Sequence, residues 1–101
     1  MAFFFCRLNP PRLDFATTMS EAERALMGQH AAYLGGLQQK GTVVVFGPVG
    51  DPRGAWGLGI LECADEAEAK TITAGDPVVK SGLGFSYDVA PMLAARLRSG
   101  L

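Results

Sequence analysis

Residues 20–41, SEAERALMGQHAAYLGGLQQKG, constrain the fold more than any other stretch, because one helical period accounts for all of them and the protein's only histidine lies among them. Along that period Ala22, Leu26, His30, Tyr33, Leu34 and Leu37 share a stripe, while Glu21, Arg24, Gln38 and Lys40 point elsewhere. His30 therefore faces a core. An imidazole there costs free energy unless its nitrogens find partners, so the sequence requires a buried polar group to meet it. Ser20 followed by Glu23 is a capping box that starts the helix, and Gly41 ends it. Gly35 and Gly36, each about 1 kcal/mol worse than Ala in a helix, are expected to mark a close approach by a sheet or another chain.

The chain has 101 residues, 49% of them hydrophobic and 19% charged, which suits one globular domain. Its net charge of -1, with no basic run, removes the electrostatic footprint that nucleic acid would need. The apolar start, MAFFFC, is too short for a signal-peptide core or a membrane span, so a cytoplasmic protein with no membrane partner is expected. Cys6 and Cys63 lack metal-ligand spacing and sit in apolar runs. They read as packing residues, with a disulfide or redox pair as the alternative.

In chain order, Phe3–Leu8 reads as a strand buried on both faces, stopped by Asn9, Pro10 and Pro11, and residues 9–19 as a loop. After the long helix, TVVVFGPV at 42–49 is a second such strand, GDPRG a hairpin tip, and residues 55–61 a third strand. Gly57 and Gly59 point to one face of it and leave room for a backbone, side chain or ligand. Asp65 with Glu68 repeats the capping signature and opens a second helix through about Ala74, closed by Gly75. Residues 83–90 form a fourth strand with Leu83, Phe85, Tyr87 and Val89 on one face. The tail from Met92 is expected to add a helical turn or two.

This order is βαββαβ, an α+β fold of ferredoxin-like type with both helices on one face of a four-stranded antiparallel sheet. We expect one domain over residues 1–91 and a tail over residues 92–101. Two helices cover one face only, yet the first two strands are apolar on both, so a homodimer with sheets packed face to face is expected.

Asp76 is the carboxylate that the turn 75–82, GDPVVKSG, places at a defined spot after the second helix. A carboxylate that accepts one imidazole proton leaves the other ring nitrogen as a base near neutral pH. The same pair can instead be a satisfied core histidine and a turn former, which makes the chain a non-catalytic dimeric binding module. Arg53 at the hairpin tip reads either as an anion contact or as a solvated side chain. Tyr33, Ser81, Ser86 and Tyr87 could line a pocket, but no nucleophile elbow is present. GLG at 57–59 and 82–84 is too short for a dinucleotide fingerprint, and one histidine falls short of a metal ligand set. No metal and no cofactor are expected.

HAAYLGGL, FGPV and GDPVVKSGLGFSYDVAPM, in that order and spacing, resemble the YciI-like (YCII-related) proteins over nearly the whole chain. The resemblance implies a ferredoxin-like fold, a dimeric α+β barrel and an active site centred on His30 and Asp76. Beside that pair, Tyr33, Gly47, Pro48 and Ser81 are our candidate contacts to a small-molecule substrate. The resemblance extends to proteins that dehydrochlorinate hydroxylated aromatics. Where many relatives resemble D-P-Y, Val78 follows Asp76 and Pro77 here, which implies a reduced aromatic wall. The expected activity is proton transfer on a small polar or aromatic molecule by a His–Asp dyad.

Overall fold

The computed structural model describes residues 1–100. Its elements run β1 (Ala2–Asn9), α1 (Phe15–Thr18), α2 (Glu21–Gln39), β2 (Val43–Val49), β3 (Trp56–Cys63), α3 (Glu66–Ala74), α4 (Pro77–Lys80) and β4 (Ser86–Pro91). This is βαββαβ with two one-turn helices added. The sheet order is β2-β3-β1-β4, and every neighbouring pair is antiparallel. Among the described residues no helix is long and apolar enough to cross a membrane.

Alternation along β1 puts Phe4, Cys6 and Leu8 on the helix-covered face, where they are almost fully buried. Leu61, Cys63, Leu34 and Ala69 close one cluster around Phe4 and Cys6, while Phe15, Val78 and Phe85 close a second around Leu8. Both cysteines are free and buried, as packing residues should be. Gly57 stands opposite Leu8 and Gly59 opposite Cys6. A Cβ on Gly57 would lie 3.1 Å from that of Leu8, so the glycine there is a close-packing choice.

Helix α2 begins at Ser20 with both halves of the capping box formed. It ends in a Schellman arrangement: the Thr42 N–H donates to Leu37 O at 2.9 Å and the Gly41 N–H to Gln38 O at 3.0 Å, with Gly41 at φ 86°. Its inward stripe differs from the expected one at the first turn. Ala22 is exposed, and Glu23 takes the inward place because Arg12 meets it there with two hydrogen bonds of 2.9 and 2.8 Å. Among the described residues no atom approaches the Cβ positions of Gly35 and Gly36, so the close packing expected of them is not made there.

Three other expectations are corrected. Residues 9–19 contain α1, and Phe15 on it is buried against Phe85 with ring centroids 5.2 Å apart. The fourth strand starts at Ser86, because Gly82 and Gly84 adopt φ 71° and 95° and break the extended run, leaving Leu83 exposed. It then continues through Pro91, whose missing N–H is tolerated on an edge strand. Residues 92–100 make no helical turn. Met92, Ala95 and Leu97 instead border a cleft against Phe3, Val45 and Ile60 on the open face of the sheet. That face also carries Phe5 and Trp56, with the Arg7 guanidinium 4.3 Å from the indole centre.

Hydrogen bonding to Arg12, then the Ser20 N–H, holds the Glu23 carboxyl down at about 2 against its ordinary 4.5. The ionised pair therefore stabilises the fold above the ordinary value, and that contribution disappears as pH falls through about 2. Arg12→Gln should lower the melting temperature at pH 6, with the gap to the parent protein closing as pH approaches 2. Scanning calorimetry across pH 2–7 reads this. Gly54→Ala should destabilise by about 1–3 kcal/mol, because Gly54 sits at φ 137° and an added Cβ would come against the Leu13 carbonyl oxygen. Chemical denaturation measures that loss.

Candidate functional site

The site is built where α2, the α3–α4 junction and β4 converge. Helix α3 starts on Asp65, whose side chain accepts from the Glu68 N–H, while Glu68 reaches back one residue further than expected, to the Ala64 N–H. It stops at Gly75, where a Cβ would lie 2.7 Å from the Tyr33 hydroxyl. That hydroxyl donates to Ile72 O at 2.6 Å and pins α2 to α3. The chain then turns through Asp76, the N-cap of α4, with Pro77 holding the first helical position.

Asp76 is completely buried and each of its oxygens is engaged. Oδ1 accepts the Val78 N–H at 3.1 Å. Oδ2 accepts from His30 Nδ1 at 2.7 Å and from the Tyr87 hydroxyl at 2.7 Å. A carboxylate oxygen at that distance calls for a proton on Nδ1, which leaves Nε2 as the acceptor nitrogen. Nε2 bonds no protein atom among the described residues, yet it is not among buried atoms lacking a partner, so solvent reaches it.

The His30 ring forms part of the wall of a cavity of about 260 Å³ between the helices and the sheet. Phe15, Met19 and Met27 line it from the helical side, Phe46 and Phe85 from β2 and the segment before β4. Gly57 and Gly59 belong to its sheet-side wall, so the room they were expected to leave is this space. Among the described residues, no Lys, Arg, Asp or Glu lines it. Burial, then the hydrogen bond to Asp76, pushes the Tyr87 phenol far above its ordinary value, and burial followed by the Asp76 charge raises Tyr33. Both phenols are thereby kept as neutral donors. Burial also raises the Cys6 thiol to about 11, with Cys63 adding to the effect, so Cys6 reaches the cavity as a thiol and not as a thiolate.

The residues singled out in the sequence divide cleanly. His30 and Asp76 meet, and Gly47 and Pro48 border the cavity. Tyr33 and Ser81 do not border it: the first is spent on Ile72 O, and the second donates to Val78 O at 2.6 Å and so serves α4. Val78 is fully buried in the core and contributes nothing to the cavity wall. Arg53 lies beside Asp51 at the exposed hairpin tip, which the Trp56 indole N–H also engages at 3.2 Å. Tyr87 borders the cavity, as its place among the candidate pocket residues implied, but its contact with Asp76 was missed. Its inward direction on β4 was legible, but only the folded chain brings its hydroxyl to Asp76. Among the described residues, no three His, Cys, Asp or Glu side chains cluster closely enough to hold a metal ion.

No curated protein sequence matches this chain. Among solved structures, the 5-chloro-2-hydroxyhydroquinone dehydrochlorinase TftG of Burkholderia phenoliruptrix AC1100, in complex with 2,5-dihydroxybenzoquinone, has a similar fold. The TM-score is 0.53 at 22% identity, covering 99% of this chain and 96% of that one. A family model for the YCII-related domain matches residues 3–93, from the first strand to just past the last. With that span matched, and with the ferredoxin-like topology that the sequence led us to expect, the chain belongs to the YCII-related family.

Proposed function

We propose that this protein is an acid–base enzyme acting on a compact, uncharged and largely apolar molecule such as a hydroxylated aromatic ring. The observation that carries this reading is a His30–Asp76 hydrogen bond of 2.7 Å in which the ring also walls a cavity of ligand size. His30 Nε2 takes a proton from a hydroxyl group of the ligand. Asp76 holds the ring in the tautomer that allows this and stabilises the imidazolium that forms. The imidazolium returns that proton to a ring carbon, giving the keto tautomer; where that carbon bears chlorine, removal of a second hydroxyl proton by Nε2 then expels chloride with its bonding pair and leaves a quinone. A lining that holds no cationic side chain among the described residues favours neutral ligands over carboxylates and phosphates. TftG, named for a dehydrochlorination, lends the halide version chemical precedent.

Asp76 also caps α4, which supports a scaffolding role for the same pair, and the test must separate the two. An Asn at position 76 keeps the cap but cannot take the imidazolium's charge. We expect His30→Asn and Asp76→Asn to lower turnover by roughly 10²- to 10⁴-fold while both variants stay folded. The assay follows chloride release from 5-chloro-2-hydroxyhydroquinone and ring hydrogen–deuterium exchange in unchlorinated polyhydroxybenzenes. Turnover that survives both substitutions sinks the enzyme reading and leaves a binding module.

The reading includes a homodimer formed through the open sheet face, since Phe3, Phe5, Trp56 and Ile60 there lack a covering layer beyond the tail. Ile60→Glu should convert a dimer to a folded monomer in sedimentation equilibrium. A parent protein that sediments as a monomer would remove the dimer from the proposal.

A further inference from the structure

Tyr87 enters the site from β4, an edge strand, on the same face as Val89. Its hydroxyl and His30 Nδ1 donate to one and the same oxygen, Oδ2 of Asp76, each at 2.7 Å, while the Val78 N–H occupies Oδ1. Two donors therefore share the charge of one buried oxygen. The phenol's own ionisation lies far above the working range, so it donates at every pH the protein meets. A donor that draws on a carboxylate's charge weakens that carboxylate's attraction for a neighbouring cation.

We infer that Tyr87 is a positioning residue which acts through Asp76: it holds Oδ2 toward the His30 ring and sets how readily that ring takes up a proton. For its catalytic meaning this rests on the acid–base reading above. The other titratable groups facing the network are Tyr33 on α2, whose hydroxyl is committed to Ile72 O, and Cys6 on β1, a buried thiol. Neither donates a hydrogen bond to Asp76, and among the described residues no Lys, Arg, Asp or Glu lines the cavity.

The chain's single histidine makes its ring titration readable by NMR of histidine-labelled protein with no substrate present. Tyr87→Phe should raise the midpoint by roughly half to one pH unit, because Asp76 then turns more of its charge to the imidazolium. Tyr33→Phe removes the chain's other phenol and should lower the melting temperature without moving the midpoint. In that variant Tyr87 is the one remaining tyrosine, so biosynthetic 3-fluorotyrosine alters this phenol alone. The fluorinated phenol is the stronger donor, and the midpoint should fall. A midpoint unmoved in Tyr87→Phe, or moved equally in Tyr33→Phe, overturns the inference. If Tyr87→Phe does not fold, the fluorotyrosine protein decides, and a midpoint that stays or rises there overturns the inference equally. No turnover is read, so failure here leaves the acid–base reading standing, and failure of that reading leaves the shift in place.

Discussion

A carboxylate taken entirely out of water is costly unless every lone pair that matters finds a donor, and Asp76 is such a group. Its donors come from three directions: the imidazole of α2, the phenol of β4 and the first N–H of α4 that its own side chain caps. Those three bonds fix where α2 crosses the sheet, where α3 ends and how β4 lies against β1. Removing one donor leaves a buried charge short of partners, so the helices and the edge strand are held in register by one residue's need for hydrogen bonds.

The cavity follows from the same arrangement and from what is missing beside it. Gly57 and Gly59 leave the first half of β3 without side chains on its helix-covered face, before Leu61 and Cys63 fill the core, so α2 meets the sheet there across open space. Loop and α1 wall the other side, with Phe15 and Met19 facing in and Arg12 fastening the segment to Glu23 on α2. Arg12 also donates to the Thr18 carbonyl at 2.7 Å, so the guanidinium ties both ends of α1 to the long helix. The wall of the pocket is thus fixed by an ion pair, and its depth by two glycines.

Much of this was legible in the residues alone. Helix α2 announced itself through period and capping box, the strands through apolar runs, one β-branched stretch and partial alternation, and the topology through their order. The pairing of His30 with Asp76 was reachable as well, because an inward imidazole needs a partner and the turn after α3 offers one acid. What escaped depends on contacts between distant segments. The one-turn helix around Phe15 is stabilised by Phe85, seventy residues away in the chain. The inward place of Glu23 is set by Arg12, and no periodicity carries that information. Tyr33 and Tyr87 read alike as hydroxyl-bearing aromatics, and only packing sends one to a helix carbonyl and the other to the carboxylate.

What the whole account turns on is a proton that sits on Nδ1 of His30, held by Asp76, with Nε2 left open toward a cavity that small neutral rings can enter. Long-range proton–nitrogen spectra of the histidine-labelled protein report both nitrogens at once. The account predicts a protonated Nδ1 with a strongly downfield, slowly exchanging proton, and an Nε2 resonance that alone moves when hydroquinone is added. A ring protonated on Nε2, or one whose nitrogens ignore every neutral aromatic tried, would contradict it.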